Sequence, residues 1–179
     1  MKKKIVYLMR GLPACGKSHK ATRLAEPNGC VLETDQYFFQ MVGSDSDHYD
    51  YSEELLPAAR QWNLNRFYEA ISEGVSPIVV DRGNGLNRET KQYAAFAVKH
   101  GYDVVLAEPD SPWWQELRVL LKYKAYIKGD LLDYWARKLS ETTRGGHRVP
   151  ESTIRRWMDH WRSDVTVEMI LAVDGGDSE

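Results

Sequence analysis

The chain has 179 residues, of which 42% are hydrophobic and 28% charged, with a formal net charge of −2. That length fits one domain with a sizeable core, and the composition excludes a disordered or collagen-like chain. Two cysteines, Cys15 and Cys30, exclude a disulfide-dense scaffold and a zinc module, and no apolar run approaches membrane-spanning length. Lys2, Lys3 and Lys4 are followed only by the short apolar run Ile5–Met9 before Arg10. That run is too short for a signal-peptide core, so a cytoplasmic chain is expected.

Five short apolar runs read as strands: Ile5–Met9, Cys30–Leu32, Pro77–Val80, Val104–Ala107 and Val165–Val173. Segments of helical periodicity separate the first four. The first helix is expected from Gly16 to about Leu24. The second carries Leu56, Ala59, Trp62, Phe67, Ala70 and Ile71 and ends near Gly74. The third, Arg88 to His100, stops at Gly101 in a C-cap position. A fourth helical stretch covers Trp113 to about Leu139, broken at Gly129. The last, Glu151 to Arg162, places Ile154, Trp157, Met158 and Trp161 on one core-facing side. Strands alternating with helices imply an α/β fold, a parallel sheet with helices on both faces. The expectation is one domain over residues 1–174, with a helical lid or insertion at about 111–150 and a frayed tail at 175–179.

Residues 11–18 read Gly11-Leu12-Pro13-Ala14-Cys15-Gly16-Lys17-Ser18, a complete G-x-x-x-x-G-K-[ST] between a strand and a helix. The chemistry needs these residue types. Gly11 and Gly16 let the backbone bend so that amides converge on phosphate oxygens at a helix N-terminus. Lys17 neutralises the β/γ phosphates, and the Ser18 hydroxyl is placed to ligate Mg²⁺. The nucleotide-binding set is therefore Gly11, Pro13, Ala14, Cys15, Gly16, Lys17, Ser18 and His19, with ATP and Mg²⁺ as cofactors. Cys15 reads as a small loop residue, or as a thiol that exposes nucleotide binding to oxidation.

Two carboxylates end strands. Asp81 closes Pro77-Ile-Val-Val-Asp81 as the acid of a Walker B strand does, and would hold the metal through water; a turn-forming Asp is the other reading. Asp35 follows the second strand, at the sheet edge where ligands of open parallel sheets bind. It can take the proton of an acceptor hydroxyl, or Thr34 or Asp35 can cap a short helix Gln36–Met41. Asp45, Asp47, His48, Tyr49 and Asp50 read as an acidic loop, lacking the fixed spacing of a metal site.

These residues resemble the polynucleotide-kinase-like P-loop kinases, in the branch that includes the NEDD4-binding-protein-2 kinase domain and small bacterial and phage relatives. The likeness runs through Arg10-Gly-Leu-Pro13, Glu33-Thr-Asp35-Gln-Tyr37-Phe38, Trp62-Asn63-Leu-Asn-Arg66 and Gly74 to Asp81 with Asn84. It continues through His100-Gly-Tyr-Asp-Val104, Glu108-Pro109-Asp110, His147-Arg-Val149-Pro150 and Val165 to Leu171. The resemblance implies that Lys17 and Ser18 serve ATP·Mg²⁺ and that Asp35 is the general base on an acceptor 5′-hydroxyl. It makes Arg144 a lid arginine on the transferring phosphoryl group, and places Tyr37, Arg66, Arg82, Asn84 and His147 on the substrate side. The implied partner is DNA or RNA as phosphoryl acceptor. Departures at Arg60, Arg82-Gly83 and Gly145-Gly146, and above all an insertion from about Arg118 to Ser140 ahead of the lid, concern the acceptor more than the chemistry. A hydroxymethylated pyrimidine within DNA, as for phage enzymes of this group, is the alternative acceptor. A small-molecule kinase or a non-catalytic ATP-binding interaction module fits less well.

Charge is uneven along the chain. Residues 118–162 hold 11 Lys+Arg against 5 Asp+Glu, while the remainder is acidic. Within them, Arg118, Lys122, Tyr123, Lys124, Tyr126, Lys128, Tyr134, Trp135 and Arg137 mix rings and cations, after Trp113 and Trp114. Either they form a nucleic-acid channel, or the rings pack on a core while the cations are solvated.

Overall fold

The computed structural model describes residues 2–38, 53–143 and 149–174. It divides into two compact units, Met1–Arg10 with Ala21–Ala107 and Val165–Glu179, and Gly11–Lys20 with Glu108–Asp164.

The first unit is built on four parallel strands, β1 (Ile5–Met9), β2 (Cys30–Leu32), β3 (Ile78–Val80) and β4 (Asp103–Ala107), in the order β2-β3-β1-β4. Register pairs Val6 with Ile78 and Val104, and Leu32 with Val80. Alternation along β1 sends Val6 and Leu8 to one face and Tyr7 and Met9 to the other. On the first face they join Phe67 and Ile71 of α2 (Leu56–Ser72), Tyr93 and Ala97 of α3 (Arg88–Lys99), and Ile170 of α7 (Val167–Leu171) in one core. On the second, Met9 and Val79 pack on Ala21 and Ala25 of α1 (Lys17–Ala25). A sheet covered on both faces explains why β3 reads as an unbroken apolar run. The expected parallel α/β architecture is what forms.

The fifth expected strand does not. Residues 167–171 form helix α7, because Thr166 caps it by accepting a hydrogen bond from Met169 N at 3.2 Å. The β-branched residues suggested a strand, but of this segment Ile170 alone is buried in the core, with Val165 and Leu171 packed partly against it.

The second unit carries α4 (Pro112–Lys122), a 3₁₀ turn at Lys124–Tyr126, α5 (Gly129–Thr142) and α6 (Glu151–His160). One apolar stripe from each helix meets in a core of Trp114, Leu117, Leu132, Trp135, Leu139, Ile154 and Met158. The expected helical break falls at 123–128, and Gly129 begins α5. Lys124 closes the C-terminus of α6, its Nζ donating to the carbonyls of Met158, Asp159 and Trp161 at 3.0, 2.7 and 2.7 Å. The reading of Trp157 as a core residue is corrected. It is 42% exposed, because Ile154 and Met158 alone fill the buried stripe of α6. Trp161 does pack inward, edge-on to Trp114 at 5.3 Å between centroids.

Candidate active site

Two sets of functional residues belong to the two units. In the second unit, the loop at 11–16 bends where the sequence allows it. Gly16 sits at φ +95°, and Ala14 at φ 60° adopts the left-handed region that a side chain disfavours. Such a residue persists only when its surroundings fix it, and two donors do. Trp113 Nε1 donates to Ala14 O at 3.0 Å, and Ser111 Oγ donates to Cys15 O at 2.8 Å. In a planar trans peptide the N–H points opposite the C=O. Tying the carbonyls of Ala14 and Cys15 to the start of α4 therefore turns the amides of Cys15 and Gly16 the other way, the arrangement an oxyanion-binding nest needs.

Leu12 and Cys15 anchor the same loop in the helical core. A Cβ at Gly11 would come within 3.0 Å of the Pro109 ring and 3.2 Å of Lys17 Cγ, so the glycine permits a close approach. Lys20, one turn into α1, pairs with Asp110 at 3.3 Å. The segment Glu108–Trp113 thus braces the loop; the sequence assigns Ser111 no role and places Trp113 only with the ring-and-cation set. Pro13, Lys17, Ser18 and His19 complete the loop and open α1, whose N-terminal dipole favours an anion. The expectation of an oxidisable Cys15 is not supported, since the thiol is fully buried and burial pushes its pKa up to about 12 despite Lys17 nearby.

In the first unit, the acids stand at the carboxyl ends of neighbouring strands. Asp81 directly follows β3, is 5% exposed, and its N–H extends the ladder by donating to Leu32 O at 2.9 Å. Asp35, half-buried, lies three residues beyond Leu32 in a tight turn where Phe38 N donates to Asp35 O at 3.1 Å. Of the capping alternatives, Thr34 is not used: its Oγ1 is buried and makes no hydrogen bond. A buried hydroxyl without a partner is costly and marks a place for a water or ligand oxygen. The expected helix beyond Phe38 and the acidic cluster at 45–50 lie outside the described residues, as do Arg144 and His147 of the lid.

Asn84 and Arg82 serve as braces. Asn84 Nδ2 donates to the carbonyls of Met9 at 2.8 Å and Val80 at 3.1 Å, stitching together the ends of β1 and β3. Arg82 pairs with Glu89 at 2.7 Å and also reaches Thr90 Oγ1 at 3.2 Å; Arg60 meets the same Glu89 carboxylate at 3.4 Å. In the structure Asn84 joins the ends of β1 and β3, whereas Arg82 is held by Glu89 and Thr90 of α3. Arg66 differs. Its guanidinium lies 4.3 Å from the Trp62 ring centroid and donates to Gln36 Oε1 at 2.8 Å. Burial pushes its pKa down, opposed by Cys30, Tyr93 and the acids Glu33 and Glu69. Tyr37 packs edge-on to Trp62 at 5.6 Å, so Gln36, Tyr37, Trp62 and Arg66 form one cluster following Asp35.

Known proteins share this organisation. A family model described as an AAA domain matches residues 6–119. Human NEDD4-binding protein 2 is 34% identical over 170 residues, 94% of this chain and 8% of that protein. Human YLP motif-containing protein 1 is 29% identical over 126 residues, 59% of this chain and 6% of that one. The chain therefore spans under a tenth of the length of these relatives. Among solved structures, a chain of the Pnkp1/Rnl/Hen1 RNA repair complex superposes with a TM-score of 0.57 at 13% identity, over 89% of this chain and 44% of that one. A Chloroflexus aurantiacus protein assigned as a kinase gives 0.54 at 17%, over 88% and 76%. At such identities these structures establish the fold. The family match establishes the lineage: the chain belongs to the AAA-domain family of P-loop kinase-like proteins, as a homologue of a segment of NEDD4-binding protein 2.

Proposed function

We propose that the chain is an ATP-dependent phosphotransferase that moves the γ-phosphoryl group to a nucleic-acid hydroxyl, foremost a polynucleotide 5′-hydroxyl end. The observation that carries this reading is the pair Asp35 and Asp81 at the carboxyl ends of adjacent parallel strands, in a chain with a braced phosphate loop. A module that only binds nucleotide has no need of the second acid. The carbonyl tethers and the left-handed Ala14 fit a loop whose amides meet a triphosphate. No cluster of three or more metal-ligating side chains exists among the described residues. Mg²⁺ keeps waters and phosphate oxygens and needs one or two protein oxygens, for which Ser18 and, through water, Asp81 are the candidates. Bound there, the ion neutralises charge developing on the phosphates.

The chain's own residues do the rest. Lys17 and the loop amides hold the β and γ phosphates, so the cost of orienting them is met before reaction. Asp35 accepts the acceptor hydroxyl proton as that oxygen bonds to phosphorus and ADP departs. Thr34 offers its unpartnered hydroxyl beside that acid. Arg66 and Tyr37 face the acceptor, Asn84 keeps the strand ends in register, Arg82 is held by Glu89 and Thr90 of α3, and Arg144 with His147 serves the lid. The acceptor class draws support from the resemblance of the motifs and from a structural neighbour that belongs to an RNA repair complex.

An acceptor screen tests the reading. Radiolabelled ATP would be offered with 5′-hydroxyl DNA and RNA oligonucleotides, hydroxymethyluracil-containing DNA, and nucleosides. Label at 5′ ends is expected. Label confined to internal bases would transfer the chemistry to the alternative acceptor, and label on nothing would remove the kinase reading.

A further inference from the structure

We infer that the outer face of the second unit, formed by Tyr123, Tyr126 and Tyr134 with Lys122, Lys128 and Lys138, is a contact surface for single-stranded nucleic acid. The inference rests on the nucleic-acid acceptor proposed above and adds a site outside the phosphate loop. The helical segment's aromatics divide into two groups. Trp114 and Trp135 are at most 5% exposed and fill the core, whereas Tyr123, Tyr126 and Tyr134 are 49%, 87% and 51% exposed. The packing of α4, α5 and α6 is satisfied without the tyrosines.

The cations divide in the same way. Arg118 pairs with Glu108, Arg137 with Glu151, and Arg155 with both Asp133 and Asp159, while Lys124 caps α6. Lys122, Lys128 and Lys138 are exposed and have no acidic partner among the described residues. Each stands within four residues of an exposed tyrosine. Lys122 Nζ lies 5.6 Å from the Tyr123 ring centroid, and Lys138 Nζ 5.7 Å from that of Tyr134. On α5, Leu131, Tyr134 and Lys138 share one face by helical spacing, about 100° around the helix from the buried Leu132, Trp135 and Leu139. Lys128 to Lys138 spans about 15 Å of helix.

Rings that can stack on bases, alternating with ammonium groups that can follow phosphates, match one polymer chemistry: a flexible strand carrying both. A protein partner of ordinary composition would not call for three unpaired lysines, and charge decides the occupant. Residues 118–143 hold six Lys and Arg against three Asp and Glu, so the polymer is an anion.

Binding and catalysis separate this inference from the kinase reading. A fluorescent 5′-hydroxyl oligo(dT) of about 20 nucleotides, and its oligo(U) counterpart, would be titrated by anisotropy without ATP at several salt concentrations. The variants are Tyr126→Ala with Tyr134→Ala, and Lys122→Gln with Lys128→Gln and Lys138→Gln. The tyrosine pair should weaken binding by about tenfold or more, and the lysine set should lower the salt slope by about 2. Melting temperature and ATP affinity should match wild type. In turnover, the variants should raise KM for the long strand while leaving kcat/KM for a 3′-phosphorylated mononucleoside unchanged. Affinity within twofold of wild type in both sets, or equal losses on long and minimal acceptors, would overturn the surface. Should no acceptor be phosphorylated, a fall in strand binding in these variants would still uphold it.

Discussion

Replacing Trp113 by Phe removes one hydrogen atom of consequence, the indole N–H that holds Ala14 O at 3.0 Å. The ring's bulk largely remains, and Trp113 is already 42% exposed, so the change in packing is small. A net protein hydrogen bond contributes about 0.5–1.5 kcal/mol, and an exposed one falls at the low end. Ala14 sits at φ 60°, where a non-glycine residue needs external restraint. Freed of its tether, the 14–15 peptide can rotate, and the Cys15 amide no longer stays aimed at phosphate. ATP affinity should therefore fall roughly 2- to 5-fold. Ser111→Ala removes the 2.8 Å bond to Cys15 O and leaves a carbonyl in a fully buried residue unpaired, so about tenfold is expected. Ser111 also caps α4 by accepting from Trp114 N at 3.3 Å, so its variant should melt lower, which Trp113→Phe should not. Calorimetric titration of ATP into each single variant and the double would show non-additive losses, since both donors hold one loop. ATP binding within twofold of wild type in both single variants would refute the claim that these tethers preorganise the cradle.

Other expectations follow from single contacts. A methyl at Gly29 would lie 2.2 Å from Pro77 O and 2.6 Å from Ala25 O, so Gly29→Ala should cost about 1–3 kcal/mol or more and lower the melting temperature by several degrees; an unchanged melt would contradict this packing of β2 on β3. Asn84→Leu leaves the carbonyls of Met9 and Val80 without their side-chain donor and should destabilise by about 1–3 kcal/mol, measured by urea unfolding. The Cys15 thiol ionises at about 12 in the native chain against an ordinary 9.0, so the folded state holds one extra proton between those values. Stability should be unaffected by this group below pH 9.0 and fall by up to about 1.4 kcal/mol per pH unit above it; Cys15→Ala should remove that alkaline slope. The native thiol should also resist iodoacetamide at pH 8 while ATP binding persists.

The first four strands were legible because each is a short apolar run bounded by turns, and the phosphate loop because its glycines and Lys17 are required by geometry and charge. Asp35 and Asp81 could be placed for a related reason, since a carboxylate just past an apolar strand falls at the ligand edge of a parallel sheet. Where local preference and tertiary packing diverge, reading the sequence failed. Val165 to Leu171 is rich in β-branched residues, yet Thr166 capping and the burial of Ile170 make it helical. Trp157 follows the periodicity of a core position, but Ile154 and Met158 already fill the space available. The tethers from Ser111 and Trp113 join residues 96 and 99 positions apart, and no local pattern encodes such a pair. Asn84 presents a side chain suited to substrate contact, and only the fold shows that its partners are main-chain carbonyls.

Phosphoryl transfer in this reading depends on one carboxylate, Asp35. Single-turnover transfer from radiolabelled ATP to a 5′-hydroxyl oligonucleotide, run with wild type and Asp35→Asn beside an ATP titration, tests it most directly. Transfer should drop by about a hundredfold or more while ATP affinity stays within about twofold. Transfer at the wild-type rate in Asp35→Asn, or loss of ATP binding in step with transfer, would contradict it.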